Sequence, residues 1–152
     1  MALIGPGRSC LHDGDRLWYV SNRGAGPESL EAGIYGLSNR RLDTPWPKLT
    51  RARRSFEETL RRKPLDAEAL FGMLADRRQA DEEDLPDTGI PHDWERLLSS
   101  VFIVSPTYGT RASTVLLIGH DDRVSLEERR FGPDGELAGQ DRFEFDIASS
   151  HG

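Results

Sequence analysis

The last third of the chain most restricts its fold, because three strand-like segments follow one another with only turns between them. "STVLLIG", "RVSLEERRF" and "DRFEFDI" are rich in β-branched and aromatic residues, and "HDD" and "GPDGELAGQ" separate them. The apolar positions of the last two segments that indicate a sheet with one wet face are Val124, Leu126, Phe131, Phe143 and Phe145. We therefore predict an antiparallel meander.

Helical periodicity marks the middle of the chain. One helix should begin at Pro47, with apolar residues at helical spacing at Leu49, Ala52, Phe56 and Leu60. "KPLDAEALFGMLADRR" predicts a second helix capped by Asp66, with Leu70, Phe71 and Leu74 on one face. "HDWERLLSS" predicts a short helix that leads into a strand, "VFIVS".

Upstream of these helices, "RLWYVSN" and "GIYGLSN" predict two short strands, with "GAGPESLEAG" as a loop between them. Strands, then helices, then strands are typical of the α+β class. We expect antiparallel sheets with helices packed on a face.

Composition restricts the partners and the compartment. The chain has 152 residues and a net charge of −6, which argues against general affinity for nucleic acid. The single cysteine, Cys10, excludes an internal disulfide framework and fits a reducing compartment. No apolar run is long enough for a membrane span, and "MALIGPGRSC" is too short and too broken for a signal peptide. These features predict a cytoplasmic protein.

Generic catalytic and metal motifs are absent from the sequence. His12, His92, His120 and His151 occupy separate loops without ligand spacing, so no metal site is predicted. Cys10 has no base beside it in sequence, which favours an inert thiol over a nucleophile. "EEDLPDTG" is interpreted as a solvated acidic loop, and "KLTRARR" as the polar face of a helix.

Two candidate site residues border apolar strands. Asn39 follows a strand and opens a proline-rich loop, where its amide could stabilise an oxyanion or simply cap the turn. Arg111 precedes a core strand, with Ser113 and Thr114 beside it. Its guanidinium could bind a carboxylate or phosphate ligand, or form a buried structural ion pair. The residues alone leave both alternatives open at each position.

Four blocks, in order, resemble one family: "LWYVSNR", "GIYGLSNRRLDTPWPK", "LPDTGIPHDWERLLSSVFI" and "YGTRASTVLLI". They are similar to the carboxy-terminal half of the NRDE family, which is also named for transport and Golgi organisation. The resemblance covers about Asp15 to Phe145. It divides the chain into a leader of residues 1–14, a family domain part of residues 15–147 and a tail of residues 148–152.

The resemblance implies a fold similar to the N-terminal nucleophile hydrolases, in which two antiparallel sheets stack between helix layers. By analogy with amidases of that fold, it implies an oxyanion role for Asn39 and assistance to the nucleophile by Arg111. We expect these two side chains to lie in one cleft. The full predicted pocket comprises Asn22, Asn39, Tyr108, Arg111, Ser113 and Thr114.

The chain also departs from the family. Family members begin with a cysteine after the initiator Met, followed by Asn-Arg-Asp-Glu, whereas here Ala2 follows Met1 and that motif is absent. Family members are also longer, so the αββα architecture should be truncated here. We then expect no cysteine hydrolase turnover from this chain alone. Strands without partners should make it self-associate or require a separate N-terminal fragment.

For function, the resemblance implies haem mobilisation and the handling of lipid or acyl-coenzyme A. The expected ligand is therefore small and amphipathic, and haem would be cargo rather than a cofactor. Two alternatives stay open. The chain could be part of a cysteine amidohydrolase of the N-terminal nucleophile type whose catalytic half is missing, or it could be an inactive remnant.

Overall fold

The computed structural model describes residues 2–4, 17–20, 26–38, 41–62 and 64–147. Its strands are β1 (Ala2–Ile4), β2 (Leu17–Tyr19), β3 (Glu28–Leu30), β4 (Tyr35–Leu37), β5 (Ala112–Ile118), β6 (Arg123–Phe131) and β7 (Leu137–Asp146). Its helices are α1 (Pro47–Leu60), α2 (Ala67–Leu74), α3 (His92–Leu98) and a 3-10 turn at Glu82–Asp84. The order of strands, helices and strands confirms the predicted α+β class.

All strand pairs in the described ranges are antiparallel. β1 pairs with β4, β2 pairs with β3, and β5, β6 and β7 form a three-stranded sheet in chain order. The last of these confirms the predicted meander. Its register places Leu116 beside Leu126 and Leu126 beside Phe143, so these side chains form one row across the sheet.

Helix α1 begins at Pro47, as the sequence predicts. Proline suits this position because the first N–H groups of a helix have no partner within the helix, so the lack of an N–H costs nothing there. Leu49, Ala52 and Phe56 are buried along one face of the helix. A Cβ added at Gly36 of β4 would lie only 2.7 Å from a methyl carbon of Leu49. Glycine at that position therefore lets the helix approach the β1–β4 pair.

Helix α2 begins at the predicted cap. The Asp66 side chain accepts a hydrogen bond from the Glu68 N–H at 3.0 Å. The main core cluster joins both long helices to the three-stranded sheet: Phe56, Leu70, Phe71, Met73 and Val115. α2 is thereby packed on one face of that sheet, as predicted.

The two faces of the β5–β6–β7 sheet follow from strand alternation. We call the face that carries Val115, Glu127 and Arg129 the covered face, because α2 packs against it. We call the opposite face the outer face. Its side chains in the two apolar rows are Leu116, Leu126 and Phe143, then Ile118, Val124 and Phe145.

The outer face corrects one expectation about burial. The alternating apolar residues should mark the dry side of the sheet, yet Phe143 and Phe145 are 58% and 53% exposed. Leu116, on the same face in β5, is 56% exposed. Val124 alone among the five predicted alternating residues is buried. Phe131 packs elsewhere, edge to face against Phe102 with ring centroids 4.7 Å apart. α2 packs instead on the covered face, which carries Glu127 and Arg129.

Two local predictions were wrong. "VFIVS" is not a strand, since the only bridge there joins Val104 to Gly109 within a tight turn. Glu28–Leu30 was predicted as loop but forms β3, because β2 offers it a pairing partner along its whole length. Ala2–Ile4, for which no element was predicted, likewise pairs with β4. Pairing partners decided these short segments more than their own composition did.

The thickness of a bilayer sets a minimum length for a helix that crosses it. No helix in the described ranges is both long and apolar enough to cross a membrane.

Candidate functional site

The structure describes four of the six predicted pocket residues. Asn22 and Asn39 lie outside the described residues, so the shared cleft of Asn39 and Arg111 stays a prediction. Tyr108, Arg111, Ser113 and Thr114 belong to one continuous stretch, which leads from a tight turn into β5. We call residues 103–110 the sheet-end hairpin.

Hydrogen bonds fix the shape of the sheet-end hairpin. The Thr110 N–H donates to the Ile103 carbonyl at 2.8 Å, and the Ile103 N–H donates to Thr110 Oγ1 at 2.9 Å. Across the turn, Ser105 Oγ donates to the Tyr108 carbonyl at 2.7 Å and accepts from the Tyr108 N–H at 3.1 Å. Tyr108 is therefore presented on an ordered turn rather than on a loose loop.

An exposed aromatic pair stands at this hairpin. The rings of Trp94 and Tyr108 meet edge to face with centroids 5.7 Å apart, although the residues are 41% and 49% exposed. Trp94 is held by α3, whose buried Glu95 accepts a hydrogen bond from the Thr88 N–H at 2.8 Å. Trp94 was not among the site residues predicted from the sequence. Its signal was an aromatic residue between charged neighbours in "HDWER".

Arg111 lies just before β5, where its backbone is hydrogen-bonded to β6 and its side chain is exposed. Its carbonyl accepts a hydrogen bond from the Phe131 N–H at 2.9 Å. Its guanidinium has neither a hydrogen bond nor an ion pair with any residue in the described ranges, unlike that of Arg129, which pairs with Glu68 and Glu127. The buried ion pair that the sequence left open at Arg111 therefore has no described partner.

Ser113 and Thr114 are neighbours in β5 and point to opposite faces of the sheet. Ser113 lies on the covered face, opposite Arg129. Thr114 lies on the outer face, where its hydroxyl donates to Glu128 Oε2 at 3.1 Å. One pocket beside Arg111 can therefore use one of these hydroxyls but not both.

The block "LDTPWPK" contains a backbone clamp that the sequence analysis did not single out. Asp43 has a positive φ of 55° and is bound twice to β4. Its N–H donates to the Gly36 carbonyl at 2.7 Å, and its Oδ1 accepts from the Gly36 N–H at 2.7 Å. Arg53 lies 3.1 Å from the same oxygen. With these partners, Asp43 holds the loop to the strand.

A pocket of about 300 Å³ adjoins this clamp. Its lining residues are Ile34, Asp43, Thr44, Pro45, Leu49, Thr50, Arg53, Arg54 and Glu57. Most of its charged groups already have partners, because Arg53 pairs with Asp43 and Arg54 with Glu58. This pocket is thus less suited than the hairpin to receive a charged ligand.

Ion pairing shifts the pKa of Asp76, and burial shifts that of Lys48. Partial burial would raise the pKa of Asp76, but hydrogen bonds from Arg78 and Arg51 outweigh burial and lower the pKa to about 2. Burial lowers the pKa of Lys48, whose Nζ donates to the Leu98 carbonyl at 2.7 Å, at the end of α3. Within the described part of the chain, no three His, Cys, Asp or Glu side chains cluster as metal ligands would.

Comparison with known proteins bears on the family resemblance. A sequence model of the family described as Transport and Golgi organisation 2 matches residues 7–133. The Transport and Golgi organization protein 2 homolog of Bos taurus is 38% identical over 125 residues, which cover 76% of this chain and 45% of that protein. The corresponding homolog of Homo sapiens is 37% identical over 125 residues, with the same coverage.

A third relative, the Transport and Golgi organization 2 homolog of Mus musculus, is 34% identical over 125 residues. The chain spans about half the length of the curated relatives it matches. The sheet-end hairpin, Trp94, Arg111 and the Asp43 clamp all lie inside the matched residues 7–133. On the family match, the chain belongs to the Transport and Golgi organisation 2 family, for which NRDE family is another name.

Proposed function

We propose that this chain is a binding component that takes up an anionic amphipathic small molecule, either haem or a long-chain acyl-coenzyme A, at Trp94, Tyr108 and Arg111. One observation carries the proposal. Tyr108 on the ordered hairpin and Trp94 on α3 form an exposed aromatic pair. Arg111, three positions after Tyr108, has a guanidinium without a partner among the described residues.

The chemistry of these groups fits the two ends of such a ligand. The aromatic rings offer a rigid apolar surface for a porphyrin plane or an acyl chain. The guanidinium offers a planar fork of donors that can bind a carboxylate or phosphate with two hydrogen bonds. Because the chain carries a net charge of −6, an anion would need such a local cation to bind.

Family membership supports a role in transport, because the relatives are named for transport and Golgi organisation. Reversible binding fits that role better than turnover does. The sequence supports a place of action in the cytoplasm, since the single cysteine suits a reducing compartment. Asn39, two positions after the last residue of β4 in the sequence, remains a proposed polar neighbour of Arg111.

The experiment is a titration of the purified chain with hemin, followed by absorbance, and with oleoyl-coenzyme A, followed by tryptophan fluorescence. We expect Arg111→Gln to weaken binding of at least one ligand about tenfold or more, because charge-assisted hydrogen bonds are lost. Tyr108→Ala should also weaken it. Trp94→Phe should remove most of the fluorescence change while leaving Trp18 and Trp46 in place.

Arg62→Gln is the matched control. Arg62 is also exposed, and its side chain has no ion pair among the residues that the structure describes, but it lies beyond the end of α1. Equal binding by the wild type and by Arg111→Gln, or equal loss in the Arg62→Gln control, would contradict the proposal. An absence of binding to both ligands would do the same.

A further inference from the structure

Strand β7 is a long open edge. It runs from Leu137 to Asp146, pairs with β6 along one side, and pairs with no other described strand along the other side. Nine of its ten residues are exposed. It contains no proline, the residue that would block pairing at such an edge. An edge of this kind offers a row of backbone donors and acceptors to another strand.

Hydrogen bonds at the ends of the sheet show which backbone groups face outward. The Ile147 N–H donates to the Asp122 carbonyl at 2.9 Å, so Ile147 faces β6. Along an antiparallel strand, the backbone N–H and C=O groups of successive residues point alternately to one neighbouring strand and to the other side. The backbone groups of Phe143 and Phe145 therefore also point to β6. The backbone groups of Arg142 and Glu144 then point away from the sheet, to the open edge.

Within one chain, Arg142 Nη2 donates to Glu144 Oε1 at 2.6 Å and Arg123 Nη2 donates to Glu144 Oε2 at 3.0 Å, so these charges are already held along the edge. They are also self-complementary between two copies in one register. We propose that β7 pairs antiparallel with β7 of a second copy of this chain, centred on Phe143. This register sets Arg142 opposite the partner's Glu144, and by symmetry Glu144 opposite the partner's Arg142. Both opposite pairs lie at positions whose backbone groups face outward, so hydrogen bonds and charge attraction coincide there.

Neighbouring registers set like charges against each other. Centring the pairing on Arg142 places two arginines opposite, centring it on Glu144 places two glutamates opposite, and centring it on Asp141 places two aspartates opposite. Centring it on Phe145 places Glu144 opposite the partner's Asp146. Of these five registers, the Phe143-centred one alone has no like charges directly opposite each other.

The same register also extends the outer face. Exposed Leu116, half-buried Leu126 and exposed Phe143 form one row, and pairing of the two Phe143 residues joins this row to its copy. The result is a six-stranded sheet with a continuous apolar row across both copies. Phe143 and the partner's Phe143 form a non-hydrogen-bonded pair, in which side chains approach more closely than in a hydrogen-bonded pair. Aromatic contact across the interface therefore adds to the pairing.

The test is a charge-swap cycle, read by sedimentation equilibrium of the whole chain. We expect a concentration-dependent dimer for the wild type. Arg142→Glu and Glu144→Arg should each weaken dimerisation about tenfold or more, because two attractive pairs become repulsive. An equimolar mixture of the two variants should form a heterodimer again, since every opposite pair in it is attractive. Circular dichroism of each variant checks that the fold is kept.

Leu116→Lys separates this edge pairing from stacking of two outer faces. Leu116 lies in β5, two strands away from the proposed contact, so the substitution should leave the edge dimer intact. A dimer that Leu116→Lys abolishes and the charge swaps do not would be face-to-face stacking and would overturn the proposal. A wild type that stays monomeric would overturn it as well, since another segment or partner would then take the edge. Failure of the mixed variants to recover would refute the register.

Discussion

The covered face and the outer face of the β5–β6–β7 sheet are built by the same three strands but carry different chemistry. The covered face, which packs against α2, contains Glu127 and Arg129 beside Val115. The outer face carries two apolar rows, and Leu116 there is 56% exposed. Charge is thus buried where a helix covers the sheet, whereas Leu116, Phe143 and Phe145 are exposed on the opposite face, where Val124 alone is buried among the six side chains of the two rows.

The covered face tolerates its charges because each has partners. Glu127, 5% exposed, accepts hydrogen bonds from Arg129 Nη2 and from Gln140 Nε2, each at 3.0 Å. The Arg129 guanidinium lies 3.8 Å from the Phe71 ring centroid and also pairs with Glu68 of α2. A buried polar network is stable only when it is satisfied in this way. The network therefore serves as the contact that docks α2 on β6.

The outer face shows what apolar alternation does not predict. Apolar alternation along a strand shows that one face favours burial, but it does not show which neighbour covers that face. Here α2 is held on the opposite face by the Arg129 contacts and by Val115. Leu116, Phe143 and Phe145 are left as exposed apolar surface, and exposed apolar patches of this kind serve as interaction sites.

Removing the buried carboxylate should break the covered face most severely. Glu127→Ala leaves the Arg129 side chain, 16% exposed, without one of its two carboxylate partners. We expect the free energy of unfolding to fall by about 2–4 kcal/mol. Urea unfolding measures this value. Glu127→Gln, which keeps a hydrogen-bond acceptor, should cost less, and equal losses in both variants would argue that packing alone matters here.

Acid should loosen the contact between α2 and the sheet to a smaller extent. The hydrogen bond from Arg129 lowers the pKa of Glu68 from its ordinary value of 4.5. Because the folded-state pKa is the lower one, the stabilisation is complete above pH 4.5 and is lost as the pH falls through the folded-state value. We expect the stability difference between the wild type and Glu68→Gln to shrink over that range. Glu68 is exposed, so salt should reduce the difference at neutral pH.

Thermal melts of the wild type and of Glu68→Gln across pH 2–7 measure this stability difference. A difference that stays constant down to pH 2 would mean that the Glu68 charge does not hold α2. Asp76, with a pKa of about 2, titrates equally in both proteins and cancels in the comparison.

A polar substitution on the outer face should have the smallest effect on stability. Leu116→Thr changes a residue that is already exposed, so we expect the free energy of unfolding to change by no more than about 0.5 kcal/mol. Binding of an apolar dye should fall clearly. Val115→Thr, the neighbouring position on the covered face, is the matched control and should cost about 1–3 kcal/mol. Equal losses at the two positions would mean that both faces are covered in solution.

Local signals predicted the regular elements well. Pro47 and the spacing of Leu49, Ala52 and Phe56 gave α1 its start and its buried face, and Asp66 caps α2 as expected. These signals act over a few residues through backbone geometry and short hydrogen bonds, so a sequence displays them directly. The meander was predicted for the same reason, because turn residues separate its strands.

Long-range contacts were not predictable from the same signals. "VFIVS" has strand composition, but the hydrogen bonds between Ile103 and Thr110 close it into a hairpin. The candidate site depended on such contacts too, since Trp94 reaches Tyr108 only because α3 packs beside the hairpin. That Arg111 has no ion pair among the described residues was likewise visible only in three dimensions.

The sequence by itself determined the α+β class, the first residues of α1 and α2, and the meander. Its four family blocks also indicated the family. Tertiary structure alone decided which face of the sheet α2 covers, and which edge and which aromatic pair stay exposed. The physical reason is that the alternation of apolar residues along a strand and the capping of a helix depend on residues that are close in sequence. Coverage, by contrast, results from competition between distant surfaces, and here the pairing of Arg129 with Glu68 and Phe71 favoured the charged face over the apolar one.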